Sequence, residues 1–370
     1  MRMHLHRVRK NRKLPKILET WRLEVPPTAR FIKRRRLLRK ELKHRIYNPG
    51  FDHLAALYGA KLPHAGVARR MKALQKLAAA NWDFRKGKMR YDVDFDSLQP
   101  GESAIDLTDA RIQKAIETAA VGFGLALPSH PSRDTYDGLI VPGGASWSPY
   151  LRLKYALEQR GPSGQPIRFD WIAMLGCDRI VSKAEHETIK EYAPKAKTEF
   201  DLMVAVAEDL LDVTLVRDAK MRRVGYAYDR ETEPHVRYYK AADDTLVLIF
   251  NAPIPAGETK ANTGHTYDFL RAASGPRLGR GRHVLISSTA HVRAFQHVDA
   301  ERLLSLPTGI SIETIGYSKK HDGGEGYDTQ LHALPPKELL QEIKSYVDTL
   351  AKLQRATIFG SKKALAQTKE

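Results

Sequence analysis

The sequence predicts an α/β protein with a mostly parallel sheet that carries helices on both faces. Two observations support this fold class. Over residues 136–355, short apolar runs typical of buried strands alternate with amphipathic helical patterns, an order that indicates parallel βαβ units. Several of these runs end in glycine or small polar residues, as strands do before a turn. The chain of 370 residues is long enough to bury such a core beside an appended region.

The N-terminal segment is strongly basic. Residues 1–45 hold 17 Lys and Arg against 3 Glu, which accounts for +14 of the total charge of +18. Among the cations, apolar residues recur at loosely helical spacing, namely Phe31, Leu37, Leu38, Leu42 and Ile46. We therefore predict a basic helical extension over residues 1–47. It would lie on an acidic polymer, on an anionic membrane surface, or on the body of the same protein.

Residues 48–135 form a second, helical region. The patterns LAALYGAKL and VARRMKALQKLAAANW are helical, and DLTDARIQKAIETAAV begins with Asp and Thr residues that suit a helix N-cap. The stretch SHPSRDT, at residues 129–135, is typical of a loop. It marks the predicted boundary with the α/β domain.

The predicted α/β domain spans residues 136–355. Its strands are DGLIV at 137–141, FDWIAML at 169–175, LDVTLV after a helix at 198–211, HVLISS at 283–288 and ISIETIGY at 310–317. Closely spaced strand patterns separated by polar turns predict a β-hairpin insertion at 220–250. A long helix closes the domain, and residues 356–370 are predicted to be a flexible tail.

Ligands of open parallel sheets bind at the carboxyl ends of the strands, where the first predicted strand runs into Gly143 and Gly144. Glycines let the backbone approach a ligand closely, and the N–H groups that follow can hold an anion. The dinucleotide motif G-x-G-x-x-G is not present because no third glycine follows. Both a plain turn and a binding loop fit this pattern.

Two further segments bring polar side chains to predicted helix starts. Glu258, Asn262 and Thr263 precede one helix, where Asn262 or Thr263 could also serve only as a cap. Ser288, His291 and Arg293 follow the HVLISS strand, where they could hold a phosphate or carboxylate. A capped helix with solvated His and Arg is the alternative.

These segments resemble the SanA/ElyC/YdcF-like family. The resemblance rests on DGLIVPGGAS, IAMLGCD, TEFDLM, GETKANTGHTYDFL and VLISSTAHVRAF, and covers roughly residues 137–317. It implies a Rossmann-like fold and a ligand site, with S-adenosylmethionine as a ligand associated with a YdcF-like member. It does not fix a reaction.

The leading functional hypothesis is a transferase, a hydrolase or a binder of a small anionic or nucleotide-type ligand. The glycine turn and Ser288 would hold an anionic group, Arg293 would pair with it, and Asn262 would orient it. Glu258 or His291 would act as the general acid or base. The alternative is a protein that binds nucleic acid or the ribosome through the basic N-terminal extension.

Composition limits the protein's class. The single cysteine, Cys177, excludes an internal disulfide and a cysteine-based zinc cluster. No run approaches the roughly 18 apolar residues of a transmembrane helix, and no apolar segment follows the basic N-terminus. We therefore expect a cytoplasmic protein.

Overall fold

The computed structural model describes residues 28–85, 105–221, 227–228, 233–274, 278, 282–319, 327–328 and 334–367. The helices are α1 (Thr28–Ile46), α2 (Pro49–Leu57), α3 (Val67–Asn81), α4 (Ala110–Gly122), α5 (Ser148–Glu158), α6 (Lys183–Ile189), α7 (Glu199–Leu211), α8 (Thr263–Ser274), α9 (Ala290–Ala300), a π-helical turn (Glu301–Ser305), α10 (Leu306–Thr308) and α11 (Pro336–Gln367). The strands are β1 (Thr135–Pro142), β2 (Arg168–Cys177), β3 (Thr214–Lys220), β4 (His235–Lys240), β5 (Leu246–Ala252), β6 (His283–Thr289), β7 (Ser311–Lys319) and β8 (Tyr327–Asp328).

In the part of the chain described, the strands form one sheet in the order β3-β4-β5-β2-β1-β6-β7-β8. The strands β5, β2, β1, β6 and β7 pair in parallel. The chain moves outward from β1 through β2 to β5, and then returns to the other side of β1 to form β6 and β7. This reversal leaves a crevice between the carboxyl ends of β1 and β6, where α/β folds bind ligands. The predicted mostly parallel, Rossmann-like sheet is confirmed.

The edge next to β5 is antiparallel. Strand β4 pairs antiparallel with both β3 and β5, so a hairpin does lie within residues 220–250. Strand β5, however, is also the parallel partner of β2. Its residues are buried along almost the whole strand, as expected of a strand covered on both faces. Strand β5 therefore belongs to the parallel core, and the added ribbon consists of β3 and β4.

Alternate residues of the central strands enter different hydrophobic clusters. Leu139 and Val141 face a cluster that includes α5 and α7, whereas Ile140 faces the cluster that includes α8. Both clusters exclude water, so the apolar run of β1 is continuous rather than alternating. Helices therefore cover both faces, and polar groups of this domain collect at the ends of the strands.

The helices α1, α2, α3 and α4 form a layer with α11 over one shared hydrophobic cluster. Leu38, Leu42 and Ile46 turn the apolar stripe of α1 inward, with at most 2% of each residue exposed, whereas Leu37 is 44% exposed. Of the three surfaces considered for the basic helix, the structure thus shows the body of the same protein. Residues 1–27 and the side chain of Phe31 lie outside the described part.

Polar contacts fix α1 at its C-terminal end and in its middle. Near its C-terminus, Arg45 binds both carboxylate oxygens of the buried Glu301, with one Nη2–Oε1 distance of 3.0 Å. Farther back, Arg39 donates to the carbonyl of Thr357 at 2.7 Å. Helix α11 continues to Gln367, whereas the sequence predicted a flexible tail from residue 356. Arg35 also donates to the Thr357 carbonyl, so the side chains of α1 bind the main chain of α11 where the flexible tail was predicted to begin.

Within the described residues, no helix combines the length and apolarity needed to cross a bilayer.

Candidate functional site

The glycine turn after β1 lies against a buried carboxylate. A Cβ atom on Gly143 would come within 2.2 Å of Oε1 of Glu199 and 2.5 Å of the carbonyl of Leu175. At Gly144 it would meet Cβ of Ser148 at 3.0 Å. Only glycine fits the first of these positions, because a real Cβ would overlap backbone atoms. The turn therefore brings the main chain closer to Glu199 than any other residue would allow.

Arg152 of α5 crosses the crevice between β1 and β6. Its Nη1 donates to the carbonyls of Pro142, at 2.9 Å, and Gly143, and its Nη2 lies 3.4 Å from Oγ1 of Thr289. The residue is 5% exposed. Tyr317 of β7 also lies here: burial raises the pKa of its hydroxyl, and Arg152 and Thr289 oppose that effect. A cation thus joins the strand ends at the point where the sheet reverses direction.

Glu199, the first residue of α7, is the buried carboxylate at this edge. The thiol of Cys177 donates to its Oε2 at 3.0 Å. Burial raises the pKa of Glu199, and the nearby charges of Arg179, Lys260 and Arg152 only partly offset the effect. Burial raises the pKa of Cys177 as well, and the carboxylate adds to it. Carboxyl groups whose pKa is shifted by burial and by specific charges in a crevice are frequent at functional sites.

Arg179 connects the glycine turn to the segment after β2. It pairs with both oxygens of Glu185, at 2.8 and 3.0 Å, and its Nε lies 3.5 Å from Oε2 of Glu199. Its Nη2 is 3.5 Å from the carbonyl of Gly144. Glu185 is held in turn by the capping box at the start of α6, with Ser182 as the N-cap. These contacts fix the guanidinium at the rim of the site.

Lys260 approaches Glu199 from the loop after β5. Burial lowers the pKa of its ammonium group; the carboxylate of Glu199 raises it, whereas Arg179 and Arg85 lower it further. The neighbouring Ala261 amide faces the thiol of Cys177. Loops that are distant in sequence, after β1, β2 and β5, therefore meet at one edge of the sheet.

An aromatic group lies beside the glycine turn. The ring centroids of Trp147, Tyr150 and Tyr192 are 4.5 to 5.2 Å apart. The Tyr192 hydroxyl donates to the carbonyl of Ser146 at 2.8 Å, and Ser146 itself has a φ of 50°. A left-handed backbone at a non-glycine residue is unfavourable unless its surroundings fix it. The aromatic contact thus holds the turn in shape.

The segment containing Glu258, Asn262 and Thr263 lies at the predicted edge, but its side chains have structural contacts. Oδ1 of Asn262 accepts from the amide of His265 at 3.1 Å, and Nδ1 of His265 lies 3.4 Å from the amide of Asn262. This is a helix cap, the alternative interpretation of the sequence. Thr263 is half-buried as the first residue of α8, and Glu258 is exposed. Within this loop, Lys260 and Ala261 are the residues that approach the site.

The predicted site residues at the end of β6 and the start of α9 contact different parts of the protein. Ser288 is fully buried and donates to Gln296 of α9. Arg293 donates to the carbonyl of Gly124 at 2.9 and 3.2 Å, and burial lowers its pKa. His291 is half-buried in the first turn of α9. Because side chains alternate along a strand, Thr289 and not Ser288 is on the side of Arg152. The ligand-binding and catalytic roles of these residues remain predictions.

Sequence reasoning missed the charged residues of the site. Glu199 lies in the first turn of the helix predicted at 198–211, where acidic residues are common for structural reasons, and no local pattern distinguishes Arg152 from surface cations. Lys260 lay inside the segment chosen for Glu258 and Asn262. A usable signal was available at Glu199: it is the first residue of a mostly apolar helix and directly follows the N-cap Thr198.

Comparisons with known proteins give relatives without a stated activity. The family described as "Rv3785 N-terminal domain" matches residues 33–116. Two similar proteins are "Uncharacterized protein Rv3785" of Mycobacterium tuberculosis (strain ATCC 25618 / H37Rv) and "Uncharacterized protein Mb3814" of Mycobacterium bovis. Each is 27% identical over 313 residues, which covers 80% of this chain and 83% of the relative. No solved structure matches. The family match lies outside residues 137–317, so the SanA/ElyC/YdcF resemblance remains a prediction. The chain is therefore similar over most of its length to these mycobacterial proteins, and its N-terminal helices match a domain family.

Proposed function

We propose that the carboxyl edge around Gly143 binds a small anionic or nucleotide-type ligand. The observation that carries the proposal is the convergence of Arg152, Arg179 and Lys260 on this edge around the buried Glu199. The site lies beside the point where the sheet reverses direction, the usual ligand position in open α/β sheets. S-adenosylmethionine, which the family resemblance suggests, is one compound of this type.

The charges favour an anionic group. Glu185 pairs with Arg179, which leaves Glu199 as the carboxylate shared by the remaining cations. Burial lowers the pKa of Lys260, and the charges of Arg179 and Arg85 lower it further, whereas Glu199 raises it. A phosphate or carboxylate group placed here would add negative charge beside these cations in a region of low dielectric.

Backbone groups support the same ligand class. The N-cap residue of α5, Trp147, makes no side-chain capping bond, and the helix begins four residues after Gly144. The aligned peptide dipoles of the helix favour an anion near such an N-terminus. Gly143 adds no side chain on the strand-end side of this turn, where a Cβ atom would not fit.

The proposed reaction class is a transfer or a hydrolysis, with Glu199 as the group that moves a proton. Its raised pKa keeps the carboxyl group protonated to higher pH than an exposed glutamate, as a general acid requires. Glu258 and His291, predicted from the sequence for this role, remain alternatives that substitution can compare directly with Glu199.

The test is a thermal-shift titration of the full chain with inorganic phosphate, AMP, ADP and S-adenosylmethionine. At least one compound should raise the melting temperature, because a ligand that binds only the folded state stabilises it. Lys260→Met should weaken that stabilisation, whereas Lys195→Met, at an exposed position, should not. The proposal fails if none of the compounds stabilises the protein at millimolar concentration.

A second candidate function, nucleic-acid binding, is favoured by the outer face of α1. Lys33, Arg36, Lys40 and Lys43 are all exposed and lie on one side of the helix. Leu37 is the large apolar side chain exposed among them in the described part of α1. One leucine offers little area for insertion into lipid, so this face fits a polyanion in water.

Salt dependence tests this second function. Replacing the four cations with Gln should reduce the slope of log affinity against log salt by up to about 4 for duplex DNA or RNA. The control replaces four exposed lysines elsewhere, Lys183, Lys190, Lys195 and Lys197. Equal slopes for the two variants would show that α1 does not contact phosphates.

A further inference from the structure

A polar cluster lies at the ends of β2 and β5 and at the start of β4. Asn251 donates through Nδ2 to Oδ1 of Asp178 at 2.6 Å, and the same nitrogen lies 3.4 Å from Nδ1 of His235. Strand pairing places His235 directly beside Asn251. Asn251 is 2% exposed, and Phe200 packs edge-on against the imidazole at 4.6 Å. The three polar side chains are therefore held in fixed positions under the first turn of α7.

Two buried acceptors of this cluster have no hydrogen-bond partner among the described residues. They are Oδ1 of Asn251 and Nε2 of His235. The carbonyl of Glu233, which can only accept, lies 2.9 Å from Nδ1 of His235. That contact places the hydrogen on Nδ1 and leaves the lone pair of the neutral imidazole on Nε2. Because buried polar atoms are rarely left unsatisfied, these acceptors call for a donor that the described residues do not supply.

The cluster adjoins the proposed ligand site. Asp178 lies between Cys177, whose thiol contacts Glu199, and Arg179, whose guanidinium reaches the carbonyl of Gly144. It also directly follows β2, the strand next to β1 in the parallel sheet. In dinucleotide-binding α/β folds, an acidic residue beyond the second strand accepts hydrogen bonds from ribose hydroxyls, while the first turn holds the phosphates. The glycine turn and Asp178 have this same relation.

We infer that Asp178, Asn251 and His235 form a subsite for the vicinal hydroxyl groups of a ribose. The inference rests on the proposed function and names the part of the ligand that lies away from the anionic group. Asp178 offers a second carboxylate oxygen, and Asn251 and His235 offer the two unsatisfied acceptors. Such a set accepts hydrogen bonds from hydroxyl groups and repels a phosphate. The same edge would thus recognise the phosphate or carboxylate of a ligand near Gly143 and its sugar near Asp178.

The test compares AMP with 2′,3′-dideoxy-AMP by isothermal titration calorimetry on the full chain. Wild-type protein should bind the dideoxy compound about tenfold to a hundredfold more weakly, as expected when hydrogen bonds to a charged group are lost. Asp178→Asn should weaken AMP binding by a similar factor and leave the dideoxy compound unchanged. The matched control is Asp170→Asn, on the same strand at its opposite end, where the side chain is 74% exposed; it should change neither affinity.

The outcomes separate the two proposals. Equal wild-type affinity for the two nucleotides overturns the ribose subsite and leaves the anion site in place. Binding of neither nucleotide overturns the ribose subsite, and the anion site is overturned with it only if inorganic phosphate, ADP and S-adenosylmethionine also fail to bind. If Asp178→Asn does not fold, the wild-type comparison of the two nucleotides still decides the question, because it requires no substitution.

Discussion

The ion pair that anchors α1 leads to the most quantitative prediction. Arg45 is 23% exposed at its side chain and Glu301 only 3%, so Arg45→Met leaves a buried carboxylate in contact with His297 and with the acidic Glu41. Removal of one member of a buried pair typically costs about 3–5 kcal/mol. Lys43→Met is the matched control, because Lys43 is exposed on the same helix and should change stability by less than about 0.5 kcal/mol.

The effect also depends on pH. Burial alone would raise the pKa of Glu301, but the charges and hydrogen bonds of His297 and Arg45 overcome this and hold the pKa well below its usual range. A depressed carboxyl pKa stabilises the folded state above the pKa of the unfolded chain, and that stability is lost as the pH falls. The difference between wild type and Arg45→Met should therefore be largest near neutral pH and shrink in acid.

Urea unfolding followed by tryptophan fluorescence measures this difference. Glu301→Gln and the double variant complete a double-mutant cycle, whose coupling energy should exceed about 1 kcal/mol. The reasoning is refuted if Arg45→Met is no less stable than Lys43→Met at neutral pH, or if the coupling energy is zero.

Three further substitutions test the site. Gly143→Ala should cost about 1–3 kcal/mol through overpacking, whereas Gly122→Ala, where the nearest atom is 3.9 Å away, should not destabilise; equal urea midpoints would contradict the close approach. Glu199→Gln should become more stable relative to wild type as the pH rises. The pKa of Glu199 is higher in the folded state than in the unfolded chain, so wild type loses stability as the pH rises between these two pKa values. Parallel curves of stability against pH from pH 4 to 9 would argue against it. Asn262→Ala should cost about 1 kcal/mol by loss of the cap and leave nucleotide binding unchanged, and a loss of binding in calorimetry would restore its predicted ligand role.

The sequence predicted the strands well because burial on both faces leaves a strong signal. DGLIV, FDWIAML and HVLISS are almost continuously apolar, and each coincides with a parallel strand. The double role of β5 was harder to see, since a hairpin partner and a parallel partner impose the same apolar pattern. The glycine turn was found because two adjacent glycines after a buried strand are a strong turn signal, but that pattern does not distinguish a plain turn from a binding loop.

The polar side chains were predicted less well than the segments that carry them. Whether Asn262 caps a helix or faces a ligand depends on a rotation of its side chain, and Ser288 differs from Thr289 only in the face of the strand it occupies. Glu199 and Arg152 acquire their character from partners far away in sequence, such as Cys177 and Thr289. Such partners follow from the three-dimensional packing and not from local spacing.

The shared cluster of α1–α4 and α11 has a consequence for how the protein is made. The helices α1–α4 are synthesised well before α11, whose Leu340, Val347 and Leu350 complete their interior. Contacts between sequence positions so far apart form slowly, since a long loop must close before they stabilise anything. We therefore expect α1–α4 to keep exposed apolar surface during translation until α11 has been synthesised and packs against them.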